Sequence, residues 1–202
     1  MIRPFGEAAL LVELASADAA QALAAALRAH RPAGVIEAVP GLSSLLVELD
    51  PLTADPDRVA EELELLMAAP LLPAPPGRLH TISVSYDGLD LDEVAALCGI
   101  TPRRVAELHA SVELSVLFCG FAPGFAYLGD LPPDMRVERL PTPRTRTPPG
   151  SVGVAGSMTA IYPAALPGGW RVIGHADVSL FDPGAEPPAL LLPGDRVRFE
   201  PA

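Results

Sequence analysis

The stretch G-S-V-G-V-A-G-S-M-T, residues 150–159, decides the fold class. Glycine recurs there at every third position, with small or β-branched residues between. A dinucleotide-binding turn spaces its glycines G-x-G-x-x-G, so a Rossmann fold has no support. The stretch reads instead as a short strand over residues 151–154, with backbone amides that can approach an anion closely. Further short strands follow at 170–173, 178–181 and 197–199, separated by glycine and proline. Short strands punctuated in this way predict a β-barrel.

Working outward, residues 80–86 form a strand in which Ile82, Val84 and Tyr86 share one face and serines the other. Two helices come next: one over residues 90–98 stopped by Gly99, and one opened by Thr101 and Pro102 that runs to about Ala110. Residues 112–121 read as a strand and lead into a long loop-like tract. Upstream, L-L-P-A-P-P-G at 71–77 looks like a stiff connection and places a domain boundary at 77. Residues 1–77 read as strand, alanine-rich helix capped by Ser16, two hairpin strands, and a helix capped by Asp55 or Asp57. The expectation is an α+β chain: a small N-terminal α/β sandwich domain, residues 1–77, followed by a β-barrel domain, residues 78–202.

Composition narrows the function. The 202 residues are 50% hydrophobic and 19% charged, enough apolar surface for real cores. The 24 prolines and 17 glycines favour turns over long helices. All 14 basic residues are arginine, and lysine is absent, which excludes lysine Schiff-base chemistry and the lysine-dependent phosphate loop. A net charge of −11 opposes nucleic acid and anionic membranes as partners. Cys98 and Cys119 make neither a disulfide framework nor a metal cluster, and Cys98 reads as a buried reduced thiol, so the cytoplasm is the expected location. Glu7 and Glu13 argue against a secretory leader, and no uncharged stretch suits a membrane-spanning helix. The chain lacks G-x-S-x-G, H-E-x-x-H and paired C-x-x-C motifs.

Chemistry-bearing residues concentrate between 118 and 182. In F-C-G-F-A-P-G-F-A-Y-L, residues 118–128, Phe121, Gly124, Phe125 and Tyr127 belong to a tightly turning aromatic loop. Such a loop lines a pocket for a flat or apolar ligand, or plugs a barrel mouth. Arg144 and Arg146 alternate in a proline-stiffened extended segment, as a clamp for carboxylate or phosphate oxygens or as the charged guard of an edge strand. Met158, Thr159, Tyr162 and Trp170 follow. His175, with Asp177 two residues on, is a proton carrier if both face a pocket, or else a hydrogen-bonded structural residue. His80 and His109 have weaker claims, and His30 suits the C-terminal end of an exposed helix.

These motifs, together with P-R-T-R-T-P-P-G-S-V-G-V-A-G, I-Y-P, P-G-G-W-R-V-I-G and L-L-L-P-G-D-R-V-R-F, resemble the family of the 5-oxoprolinase B subunit. The family is also known as allophanate hydrolase subunit 1, kinase A inhibitor, or carboxyltransferase subdomain C and D. The five motifs fall in the family order over residues 112–199, and the N-terminal half, with V-I-E-A-V-P-G-L, agrees more loosely. The resemblance implies a cyclophilin-like barrel, a likeness of fold from which no prolyl isomerase activity is carried over. It implies two partners, the homologous C subunit of 5-oxoprolinase and its separate A subunit, and ATP-driven opening of the 5-oxoproline lactam to glutamate. ATP, with magnesium, is then held by the complex and not assignable to this chain alone. The expected catalytic groups are His175, Arg144 and Tyr162, and the expected substrate-binding residues are Phe121, Gly124, Phe125, Tyr127, Arg146, Met158, Thr159 and Trp170. Many relatives carry glutamine where Met158 stands and glycine where Ala160 stands; a thioether cannot donate the amide's hydrogen bonds. Inhibition of a sporulation-type histidine kinase and a carboxyltransferase role on a urea-derived acid stand as alternatives.

Overall fold

Leucine and valine alternate with polar residues through the first strands, and in the computed structural model, which describes residues 1–30 and 32–202, that alternation becomes a half-buried sheet. By their internal contacts the described residues divide into two units, Met1–Pro75 and Pro76–Ala202. The first unit runs β1 (Ile2–Pro4), β2 (Ala9–Glu13), α1 (Ala17–His30), β3 (Val35–Pro40), β4 (Ser44–Leu49) and α2 (Pro56–Ala68). Its antiparallel sheet has the order β1-β2-β4-β3. Leu10, Val12, Leu45, Val47 and Leu49 bury one face of the sheet in a common core with Leu23, Leu27, Val59 and Leu63 of the two helices. Ser16 Oγ accepts from the Ala19 amide at 3.2 Å, and Asp55 accepts from the amides of Asp57 and Arg58 at 3.2 and 3.3 Å, so both helices start at capping residues.

The second unit runs β5 (Leu79–Val84), α3 (Leu91–Cys98), α4 (Pro102–Ala110), β6 (Glu113–Cys119), β7 (Ala126–Gly129), a 3-10 turn (Pro133–Met135), β8 (Arg144–Thr147), β9 (Ser151–Ala155), β10 (Met158–Ile161), β11 (Leu166–Gly168), β12 (Arg171–His175) and β13 (Arg196–Pro201). Seven strands form one sheet of order β12-β9-β10-β7-β6-β13-β5, parallel only between β13 and β5. The sheet curls until its outer strands meet at one bridge, where Ser85 and His175 exchange backbone hydrogen bonds of 2.8 Å. Inside the curl lie Ile82, Leu114, Val116, Leu128, Val152, Val154, Ile161, Ile173, Val197 and Phe199, which the buried faces of α3 and α4 join through Val94 and Val105. Gly99, at φ 68°, ends α3 in the left-handed conformation, and Thr101 Oγ1 caps α4 by accepting from the Arg104 amide. The second unit is therefore mixed α+β, built on a curled sheet. Among the described residues no helix is long and apolar enough to cross a membrane.

Two local expectations fail. Residues 178–181 form no strand, only the Phe181–Ala189 bridge, because Pro183, Pro187, Pro188 and Pro193 remove the amides a ladder would need. Conversely, residues 126–129, which fall in the loop-like tract of the sequence, form β7 in the middle of the sheet, paired with β6 and β10. Cys98 is half-buried rather than fully buried.

Candidate functional site

The β6–β7 hairpin turns sharply between the Gly120 amide, which donates to Phe125 O at 3.1 Å, and the Phe125 amide, which donates to Ala122 O at 3.0 Å. Phe121 sits in this turn at φ 71°, the one non-glycine residue at positive φ among the described residues, with 59% of its surface exposed. A mostly exposed phenylalanine in a left-handed conformation costs on the order of 1–2 kcal/mol with only partial burial to offset it, a pattern typical of binding loops. Gly124 packs its backbone against Leu180 and Phe181. Next to the turn, Phe125 is buried and meets Phe121 at 5.3 Å, Tyr127 at 4.9 Å, Tyr162 at 5.4 Å and Trp170 at 6.0 Å between ring centroids. Tyr127 stacks on Phe118 at 4.2 Å and meets Trp170 edge-on at 5.7 Å. Met158 and Leu166 pack against the same cluster. A β-carbon on Gly168 would run into the Tyr162 hydroxyl, so this glycine is what allows β11 to lie against the ring.

Guanidinium groups border the cluster. Arg139 is exposed and its Cζ lies 6.0 Å from the Trp170 ring centroid, a cation–π distance. Burial raises the Tyr127 and Tyr162 phenols above their ordinary pKa, and the Arg139 charge pulls both back in part; for Tyr162, the Thr147 side chain, the Trp170 backbone and Arg144 act in the same direction as Arg139. Arg144 is largely committed elsewhere. It donates to the carboxylate of buried Asp90 at 2.5 Å and to Trp170 O at 3.4 Å, while the second Asp90 oxygen accepts from the Val172 amide at 2.6 Å. Arg146 is exposed and has no ion-pair partner among the described residues.

Not every expected residue reaches this cluster. Thr159 is fully buried, its hydroxyl donating to Gly153 O at 2.9 Å and lying 3.0 Å from His109 Nε2. His175 is exposed and borders a separate cleft of about 330 Å³ with Thr81, Ser83, Ser85, Asp177 and Val178. A single hollow holding Tyr127, Arg144, Tyr162 and His175 is therefore not formed. The closing bridge to Ser85 fixes the end of β12, and the His175 ring lies against Gly150. His80 pairs with Asp195 at 3.1 Å and His30 with Glu62 at 3.3 Å.

Two groups matter more in the structure than in the sequence. Arg139 lies in the loop-like tract, although the run R-L-P-T-P-R-T-R, free of acids, marks residues 139–146 as locally basic in an acidic chain. His109, on α4, is fully buried, with Nδ1 2.8 Å from the Tyr86 hydroxyl and its ring stacked on Phe199 at 4.4 Å. Because Thr159 donates to Gly153, it accepts from His109 Nε2–H, which leaves Nδ1 to accept from Tyr86. Burial drives the His109 pKa down to about 3, so the imidazole is neutral and its tautomer fixed.

A packed aromatic cluster, with exposed Phe121 and an exposed guanidinium beside it, has the chemistry that suits a small, flat or cyclic ligand carrying a carboxylate. No cluster of three or more potential metal ligands occurs among the described residues.

The curled seven-stranded sheet is that of a carboxyltransferase-type domain: the chain belongs to the family described as carboxyltransferase domain, subdomain C and D, which it matches over residues 1–191. It is 46% identical over 171 residues to the Escherichia coli O157:H7 protein named as the B subunit of 5-oxoprolinase, covering 83% of this chain and 78% of that one. The Haemophilus influenzae protein of the same name is 39% identical over 168 residues, 82% of this chain and 78% of the relative. Among solved structures, TTHA0988 superposes with a TM-score of 0.84 at 38% identity over 100% of this chain, which spans 40% of that longer one. The Kluyveromyces lactis urea amidolyase shares the fold with a TM-score of 0.79 at 19% identity, covering 100% of this chain and 15% of that one.

Proposed function

We propose that this chain is the B subunit of an ATP-dependent 5-oxoprolinase, acting in the cytoplasm with the homologous C subunit of that enzyme and its separate A subunit. In this reading its curled sheet is a cyclophilin-like barrel forming a domain of its own, which follows the N-terminal α/β domain in the chain. The observation that carries the proposal is the aromatic cluster bordered by arginine, in a chain 46% identical to a protein named as the 5-oxoprolinase B subunit. The substrate is a five-membered lactam bearing a carboxylate: a compact ring for Phe121, Tyr127 and Met158, and an anion for a guanidinium.

The chain has no lysine, and its glycine tract lacks the phosphate-loop spacing, so it carries no self-contained nucleotide motif, and in this reading ATP and magnesium are held by the complex. ATP supplies activation of the lactam oxygen as a leaving group. This chain's contribution is to hold the ring, orient the carboxylate and keep water from one face of the substrate. Tyr162, its phenol kept protonated by burial, and the Arg144–Asp90 pair hold Trp170 and β12 in register beneath the substrate. Co-expression with the A and C subunits tests the proposal: phosphate release from ATP depends on added 5-oxoproline and is lost when this chain is omitted. Equal release without this chain refutes it.

A further inference from the structure

Of the guanidiniums around the aromatic cluster, one combines contact with the rings and freedom from an acid. Acids outnumber arginines in this chain, 25 to 14, and most arginines of the second unit are taken: Arg144 by Asp90, Arg171 by Glu93, Arg196 and Arg198 by Glu113, Arg103 and Arg104 by Glu107. Arg139 has no ion-pair partner among the described residues, yet its charge reaches Trp170, Tyr127 and Tyr162 together. At 6.0 Å from the indole centroid the Arg139 guanidinium is held by the ring's quadrupole, and with no hydrogen bond or ion pair to Arg139 among the described residues its planar N–H donors stay available for a bidentate acceptor. Arg146 is equally unpaired among the described residues but makes no cation–π contact with the rings there.

We infer that Arg139 is the carboxylate-binding residue of this site, and that Arg144, the more obvious candidate in the sequence, is a brace. The inference rests on the proposed 5-oxoprolinase role and assigns the substrate's orientation: carboxylate on the Arg139 fork, lactam ring toward Phe121 and Tyr127. Arg144 cannot serve a second carboxylate without releasing Asp90, which would leave that buried acid without the cation that balances its charge.

The test uses the assembled complex of all three subunits with two substrates, 5-oxoproline and its uncharged carboxamide. Arg139→Met keeps an unbranched apolar chain over Trp170 and removes the charge; Arg139→Lys keeps the charge and removes the fork. The expected result is a KM for 5-oxoproline raised about tenfold to a hundredfold in Arg139→Met, with the loss falling on KM rather than kcat, and a KM for the carboxamide that does not move. Arg139→Lys recovers part of the loss. An Arg139→Met complex with wild-type KM for 5-oxoproline, or one that loses both substrates equally, overturns the inference alone. A wild-type complex without 5-oxoproline-dependent ATP hydrolysis overturns the proposed function and takes this assignment with it.

Discussion

Acidification destabilises this protein through His109. The ring is fully buried between Tyr86, Thr159 and Phe199, and its pKa falls to about 3 from an ordinary value of 6.5. An unfolded chain therefore binds a proton at His109 that the folded chain refuses at every pH between those two values. The stabilisation is fully present above about pH 6.5 and is lost as pH falls toward about 3, at about 1.4 kcal/mol per pH unit. Between pH 6.5 and 4.5 the loss is roughly 2 kcal/mol, a substantial part of a typical folding free energy of about 5–15 kcal/mol. The assay is urea denaturation followed by circular dichroism at several pH values in that range, for wild type and His109→Gln. The variant begins less stable, because it loses the Phe199 stack, but its stability falls less steeply with acid, by about 1.4 kcal/mol per pH unit. Parallel slopes in the two proteins would refute the neutral, buried imidazole.

Three other substitutions probe the frame of the site. Asp90→Ala strands the Arg144 guanidinium and the Val172 amide, at a cost of about 3–5 kcal/mol and a Tm lower by roughly 6–20 °C, read by calorimetry. Gly168→Ala drives a methyl group into the Tyr162 hydroxyl, costs about 1–3 kcal/mol, and red-shifts the emission of Trp170, the only tryptophan in the chain. Asp55→Ala removes the cap of α2 and costs about 1 kcal/mol in denaturant titration, with no effect on the KM of the assembled complex.

Features fixed by neighbouring residues were legible in the sequence. Ser16, Asp55 and Thr101 cap helices because a side-chain oxygen needs only an amide two or three positions on, and Gly99 stops α3 because only glycine enters the left-handed region without cost. The aromatic composition of residues 118–128 likewise pointed to the cluster that Phe121, Phe125 and Tyr127 build with Tyr162 and Trp170. What failed depended on distant partners. The strand Ala126–Gly129 exists because β6 and β10 flank it, and nothing within its four residues announces that. Arg144 reads as a clamp until Asp90, 54 positions away, takes its guanidinium. His109 has only a weak claim in the sequence until Tyr86, Thr159 and Phe199 close over it, and His175 looks like a site residue until its exposed ring is found beside Thr81, Ser83 and Ser85 in a separate cleft. Val178 to Phe181 carry strand-forming side chains, but the prolines that follow leave no ladder for them to join.

The most direct measurement is glutamate formation from isotopically labelled 5-oxoproline by the A and C subunits, with and without this chain added back. The account predicts labelled glutamate in step with ATP consumed only when this chain is present. Glutamate produced at the same rate in its absence, or none in its presence with ATP hydrolysed regardless of 5-oxoproline, would contradict it.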